Sequence, residues 1–163
     1  MEKKMEYDVC AGACMADREK NRSLTIEERV GRIPVLHRKG YTCAQIVLCV
    51  YADLLETDER DLFRISEGFG GGMGGMMLTC GAVTSMAMAA NLKNSCGDPE
   101  SCSTAGSSIR LVRRLAEEFQ QKNGSVICRE LKGIGTGRVL RDCPGCIEDA
   151  VRILGKDLFG LEE

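Results

Sequence analysis

At 163 residues, with 44% hydrophobic and 28% charged side chains, the chain has ordinary globular composition and enough length to bury a core without disulfide staples. A formal charge of -2 with mixed signs leaves no basic footprint for nucleic acid, and three Tyr, four Phe and no Trp leave few platforms for stacking bases. The outlying feature is cysteine, with ten residues.

The opening segment, MEKKMEYDVCAGACMAD, carries charges and no apolar stretch, so it does not read as a secretory signal. The expected compartment is the reducing cytoplasm, where cysteines kept in such numbers point to redox turnover or metal binding rather than structural disulfides. Residues 1–23 read as an N-terminal extension carrying Cys10 and Cys14 at i, i+4 spacing, and 24–163 as a single cysteine-rich helical domain. A helical pattern runs from Ile26 to Lys39 and stops at Gly40, with Gly31 and Pro34 expected to kink or divide it.

Thr42-Cys43-Ala44-Gln45 has the form of a capping box and opens the apolar helix AQIVLCVYADLL. Thr57 or Asp58 is placed to cap the next helix, which reaches about Glu67. Gly68 to Leu92 is 25 residues without a charge, but seven are glycine and only about Cys80 to Leu92 suits a helix. That is shorter than the ~20 residues a bilayer requires, so the segment is predicted to be a central helix buried on all sides, capped by Thr79, and not a membrane span. A long amphipathic helix follows from Thr104 to Lys122, with Ile109, Val112, Leu115, Ala116 and Phe119 at three-four spacing. A short helical turn covers Cys128 to Lys132. Asp142-Cys143-Pro144 marks the last helix, reaching about Phe159. Without sustained alternation between hairpin turns, the expected fold is all-α, about six helices packed around the central apolar one.

Four cysteines, Cys43, Cys80, Cys128 and Cys143, fall in the first turn of a predicted helix, where free amides and the dipole's positive end stabilise an anion. Such placement can draw a thiol from ~8.5 into the range of about 3.5–7.5, giving the thiolate that attacks disulfides or binds soft metals. Cys146 completes Cys-Pro-Gly-Cys at a helix start, with Cys143 as the attacking sulfur and Cys146 as resolver, and Arg138 and Arg141 just upstream. Cys49 lies on another face of the Cys43 helix and reads as core. Cys96 and Cys102 are placed to pair across a loop or to stand apart. Gly70 to Gly75 satisfies GxGxxG, but a helix rather than a strand precedes it, so close backbone approach beside Cys80 is expected instead of nucleotide binding. The sole histidine, His37, reads as a surface residue.

On these residues the chain resembles the C-GCAxxG-C-C family of redox proteins. The matching segments are Tyr41-Thr42-Cys43-Ala44-Gln45, the glycine run from Gly68 to Gly74, and Cys80-Gly81-Ala82. Asn123-Gly124-Ser125, Cys128-Arg129-Glu130-Leu131 and Cys143 with Ile147-Glu148-Asp149-Ala150 follow in order. The resemblance covers about residues 24 to 160. It implies a bacterial or archaeal helical domain whose four family cysteines are Cys43, Cys80, Cys128 and Cys143. Ser85 departs from it, standing where the family's CGAxxG has glycine.

Three functions are in play. Thiol-based redox would cycle these cysteines, with Cys146, between dithiol and disulfide against a redox partner or small molecule. Alternatively, Cys43, Cys80, Cys128 and Cys143 would hold zinc or an iron–sulfur cluster, although separations of 37, 48 and 15 residues match no compact finger spacing. In the third, the chain is a non-catalytic helical interaction module whose cysteines merely pack. The four sulfurs would meet within one chain or across a homodimer.

Overall fold

In the computed structural model, which describes residues 24–100 and 103–162, the chain is all-α, with seven helices among the described residues. They are α1 (Ile26–Arg38), α2 (Cys43–Cys49), α3 (Glu59–Ser66), α4 (Gly81–Asn94), α5 (Ala105–Asn123), α6 (Cys128–Leu131) and α7 (Cys143–Ile153). A 3-10 turn (Glu67–Phe69) extends α3, and a π-helical turn (Leu154–Leu158) ends α7. The segment 1–23, with Cys10 and Cys14, and Cys102 lie outside the described residues.

The caps follow the sequence. Thr25 and Glu28 form a capping box at α1, Thr42 and Gln45 a second at α2, and Asp58 and Asp142 cap α3 and α7 through their carboxylates. Each cap satisfies amides that the helix ladder leaves open. Two expectations change. Helix α1 is continuous through Gly31 and Pro34, held by a buried face of Ile26, Arg29, Ile33 and Leu36, with Pro34 on the exposed side. The cap of α4 is Cys80 itself, because Thr79 is engaged in an antiparallel bridge with Ile127.

The helix enclosed on every side is α2 rather than α4. Ala44 through Tyr51 are all buried, and α2 packs against α3, α4 and α7. Its sequence is apolar around the whole circumference, which is what full enclosure requires. Helix α4 buries Ala82, Val83, Met86, Ala89 and Ala90 against α2 and α5, but leaves Asn91 and Leu92 exposed. On α5, Leu115 and Phe119 reach the core while Ile109, at the start of the same stripe, stays 61% exposed. No helix among the described residues is long and apolar enough to cross a membrane.

Arg29 is fully buried and grips Asp53 with two 2.7 Å hydrogen bonds while donating to the Val50 carbonyl at the end of α2. Its guanidinium lies 4.7 Å above the Tyr51 ring, whose hydroxyl donates to the Val151 carbonyl of α7 at 2.6 Å. This polar cluster fixes the C-terminal end of α2. The other end carries Cys43.

Candidate thiol site

The N-terminus of α2 is held by its capping box and by Gln45, whose side-chain amide donates to the Phe63 carbonyl of α3. Cys43, at the first helical position, is therefore fixed in direction. Cys80 and Cys128 are set together by a device that sequence patterning missed. Thr79 and Ile127 form a single antiparallel bridge, the Cys80 amide donates to the Val126 carbonyl at 2.8 Å, and the Cys128 amide donates to the Leu78 carbonyl at 2.7 Å. Each cysteine thus follows directly on a bridged residue and begins a helix. Helix α7, capped by Asp142 to the Gly145 amide at 2.9 Å, brings Cys143 and Cys146.

The glycine run closes the remaining side. Gly71, Gly72, Met73, Gly74 and Gly75 have φ between 60° and 76°, five successive left-handed residues of which four are glycine. A Cβ on Gly72 would lie 2.7 Å from the Cβ of Cys128. The loop thus approaches Cys43 and Cys128, and no strand precedes it to make a nucleotide site.

Cys43, Cys80, Cys128, Cys143 and Cys146 all line one cavity of about 40 Å³, joined by Gly71, Leu131, Lys132 and Arg141. A water needs roughly 10–15 Å³ on this measure, so the space admits about three small atoms or groups and no large cofactor. All five sulfurs come from a single chain. Cys80, Cys128 and Cys146 are 5% exposed or less, whereas Cys43 and Cys143 are half-buried and form the accessible side.

Within the cavity the thiols act on one another in two pairs. The Cys143 thiol hydrogen-bonds Cys43 and, against the opposing effect of burial, brings it down to about 6, helped by the Gly71 and Ala44 amides and the Lys132 charge. Cys146 does the same for Cys80, which is lowered with help from the Ala82 and Val83 amides. Cys146 has a second acceptor in the Arg141 carbonyl, 3.9 Å away. Cys143 is raised by its bond to Cys43, by burial and by the Cys43 and Cys80 charges; Cys146 is raised by its bond to Cys80 and by burial.

Helix-start placement alone therefore does not decide which sulfur ionises. Cys128 begins a helix of only four residues, and burial raises it, reinforced by the Cys80 and Cys43 charges. Its sulfur lies 4.0 Å from that of Met77. Cys143 begins a longer helix, but the Asp142 carboxylate already takes the Gly145 amide there. Of the Cys143–Cys146 pair expected from the sequence, both thiols are shifted upward, Cys143 by its neighbour Cys43 and Cys146 by its neighbour Cys80. Arg138 is exposed and does not line the cavity, while Lys132, one turn beyond Cys128, does. That i+4 relation was readable in the sequence.

The remaining cysteines differ. Cys49 is core, 2% exposed, and burial pushes it up to about 12. Cys96 is exposed beside the Thr104 hydroxyl, 3.5 Å away, and its proposed partner Cys102 is outside the described residues. His37 is at the surface. Among the described residues no three His, Cys, Asp or Glu side chains are grouped as metal ligands.

A family model described as "Putative redox-active protein (C_GCAxxG_C_C)" matches residues 41–156. The chain belongs to this family. The matched span includes all five cavity cysteines, the glycine loop and Lys132. No curated protein and no solved structure matches the chain.

The family's glycine at position 85 is replaced here by a buried serine that donates to the Ala44 carbonyl at 2.8 Å. The bond ties α4 to the first turn of α2, directly behind Cys43.

Proposed function

We propose that the protein is a dithiol–disulfide redox protein in which Cys43 is the attacking thiolate and Cys143 its resolving partner. This reading rests on the placement of two half-buried sulfurs, Cys43 and Cys143, in one cavity otherwise closed by protein, with Cys43 drawn down to about 6 and Cys143 pushed up. At neutral pH Cys43 is mostly thiolate, the form that attacks a disulfide. Attack on a substrate R–S–S–R forms Cys43–S–S–R and releases R–S⁻. The Cys43 charge that held the Cys143 proton disappears in that step, so Cys143 releases its proton to solvent. Its thiolate then attacks the Cys43 sulfur, closing Cys43–Cys143 and expelling the second R–S⁻. The protein dithiol loses two electrons and the substrate disulfide gains them.

Cys80 and Cys146 repeat the arrangement on the closed side of the cavity. We assign them the second dithiol, which re-reduces the outer disulfide by exchange. Cys128, raised by burial and by its Cys80 and Cys43 neighbours, stays out of the first step.

Disulfide mapping by mass spectrometry after mild oxidation with oxidised glutathione tests the assignment. Cys43–Cys143 should form first, Cys80–Cys146 second, and both should vanish on reduction. A full thiol count that survives oxidation would overturn the reading. So would zinc or an iron–sulfur spectrum retained after anaerobic purification and lost in Cys43→Ser, since ligation would then occupy these sulfurs.

A further inference from the structure

Besides its cysteines, the cavity wall holds two ionisable side chains among the described residues, Lys132 and Arg141, and both are cationic. No carboxylate of the described residues lines it. Lys132 is half-buried and, among the described residues, has no ion-pair partner. Its field reaches Cys43, Cys128 and Cys143. Arg141 binds Asp149 through Nε at 2.8 Å, but Asp149 is also bound by Lys122 at 2.9 Å, so one carboxylate faces two cations. The charges of Asp142, which accepts the Gly145 amide, and of Glu148 also act on Arg141, while Glu130 is hydrogen-bonded by the Ser125 hydroxyl.

Two cations beside a thiolate do more than lower a proton affinity. When Cys43 attacks a disulfide its charge passes to the departing sulfur, and Lys132 is left facing a neutral mixed disulfide. A substrate bearing its own carboxylate fills that vacancy throughout the reaction, whereas a substrate bearing an ammonium adds a third cation to the wall. The small cavity admits the disulfide and leaves the carboxylate at the rim. Building on the dithiol reading, we infer that the substrates of this site are carboxylate-bearing disulfides, selected by Lys132 with Arg141. Lys132 acts as a specificity-determining residue; the sulfur chemistry stays with Cys43 and Cys143.

The test compares two aliphatic disulfides of similar size and opposite charge, dithiodipropionate and cystamine. The rate constant for modification of Cys43 is measured for each by mass spectrometry on the full chain. Taking the ratio of the two constants removes any change in Cys43 thiolate fraction, since that fraction multiplies both equally. The ratio should favour the dianion in the native protein, fall by about tenfold in Lys132→Gln, and be kept by Lys132→Arg. Added salt should slow the dianion and speed cystamine in the native protein, a readout that needs no variant.

An equal ratio in the native protein and Lys132→Gln, or a native preference for cystamine, would overturn the inference. Failure of the dithiol reading is separately visible: charge selection would persist in the first adduct while no Cys43–Cys143 disulfide followed it.

Discussion

The sulfur of Cys43 occupies the space that a side chain at Gly81 would need. A Cβ on Gly81 would lie 2.6 Å from Cys43 Sγ and 2.8 Å from the Phe69 carbonyl oxygen. Gly81 is the first residue of α4 and directly follows Cys80, so this one glycine lets helices α2 and α4 bring their starts together. Its backbone is helical and open to any residue; space, not conformation, is what demands glycine here. The Cys-Gly-Ala motif thus has a mechanical meaning: the glycine is the contact through which the outer thiol pair meets the inner one.

Gly81→Ala should therefore damage the site more than an ordinary helical Gly→Ala change, which would stabilise by up to about 1 kcal/mol. The methyl meets a backbone oxygen as well as the sulfur, so relaxation must separate α2 from α4. We expect a loss of about 1–3 kcal/mol in urea unfolding and slower alkylation of Cys43. An alanine variant as stable and as reactive as the native chain would contradict this contact.

The lowered Cys43 predicts a pH profile with a defined sign. Above about pH 6 the sulfur is mostly anionic; below it the thiol re-forms. Alkylation of Cys43 should fall roughly tenfold between pH 7 and pH 5, while Cys49, pushed up to about 12, should not react anywhere in that range. Because the Cys143 donor is the largest cause of the lowering, Cys143→Ala should move the midpoint upward by about one pH unit, the equivalent of a charge-assisted hydrogen bond of ~1.5 kcal/mol. Cys143→Ser keeps a donor and should leave the midpoint nearly in place while stranding the mixed disulfide. Residue-resolved iodoacetamide labelling checks all three.

The sequence made much of this visible and left a definite part hidden. Capping boxes and acid–proline starts are local, because a side chain bonds an amide three residues away, so the starts of α1, α2, α3 and α7 were legible. Of the cavity cysteines, Cys43, Cys143 and Cys146 were legible through such starts, whereas Cys80 and Cys128 begin helices with no side-chain cap. The ionisation of these thiols was not legible. It depends on which thiol faces which, and Cys43 meets Cys143 across 100 residues of chain. The Thr79–Ile127 bridge was hidden for the same reason, since one bridge leaves no alternating pattern to find. The small residues of α4 resemble full burial in the sequence, yet Asn91 and Leu92 are exposed, while the shorter α2 is apolar on every face and is the enclosed helix.

Ser85, the departure from the family's glycine, should prove stabilising in this chain. Its hydroxyl donates to the Ala44 carbonyl from a fully buried position. Ser85→Ala should cost about 1 kcal/mol through the lost bond. Ser85→Gly should cost about 2 kcal/mol, because glycine within a helix adds roughly 1 kcal/mol more. Urea denaturation of the two variants separates the contributions. If Ser85→Gly equals or exceeds the native stability, the serine bond adds nothing that closer helix packing does not.

The Arg29–Asp53 pair offers a way to separate stability from chemistry. Both side chains are nearly inaccessible, at 1% and 3% exposure, and the guanidinium also serves the Val50 carbonyl where α2 ends. Asp53→Asn removes the one carboxylate that grips Arg29 among the described residues and leaves a buried cation facing a neutral amide, a loss of about 3–5 kcal/mol in unfolding free energy. Replacing both, as Arg29→Met with Asp53→Leu, should recover part of that loss, though the Val50 carbonyl remains without its donor and holds back about 1 kcal/mol or more. Cys43 lies at the opposite end of α2, roughly 10 Å along a seven-residue axis at 1.5 Å per residue. Under conditions where Asp53→Asn remains folded, the rate and pH midpoint of Cys43 alkylation should match the native protein. A shift in that midpoint would mean that the anchored end of α2 sets the ionisation at its reactive end, and the thiol site would then extend through the core.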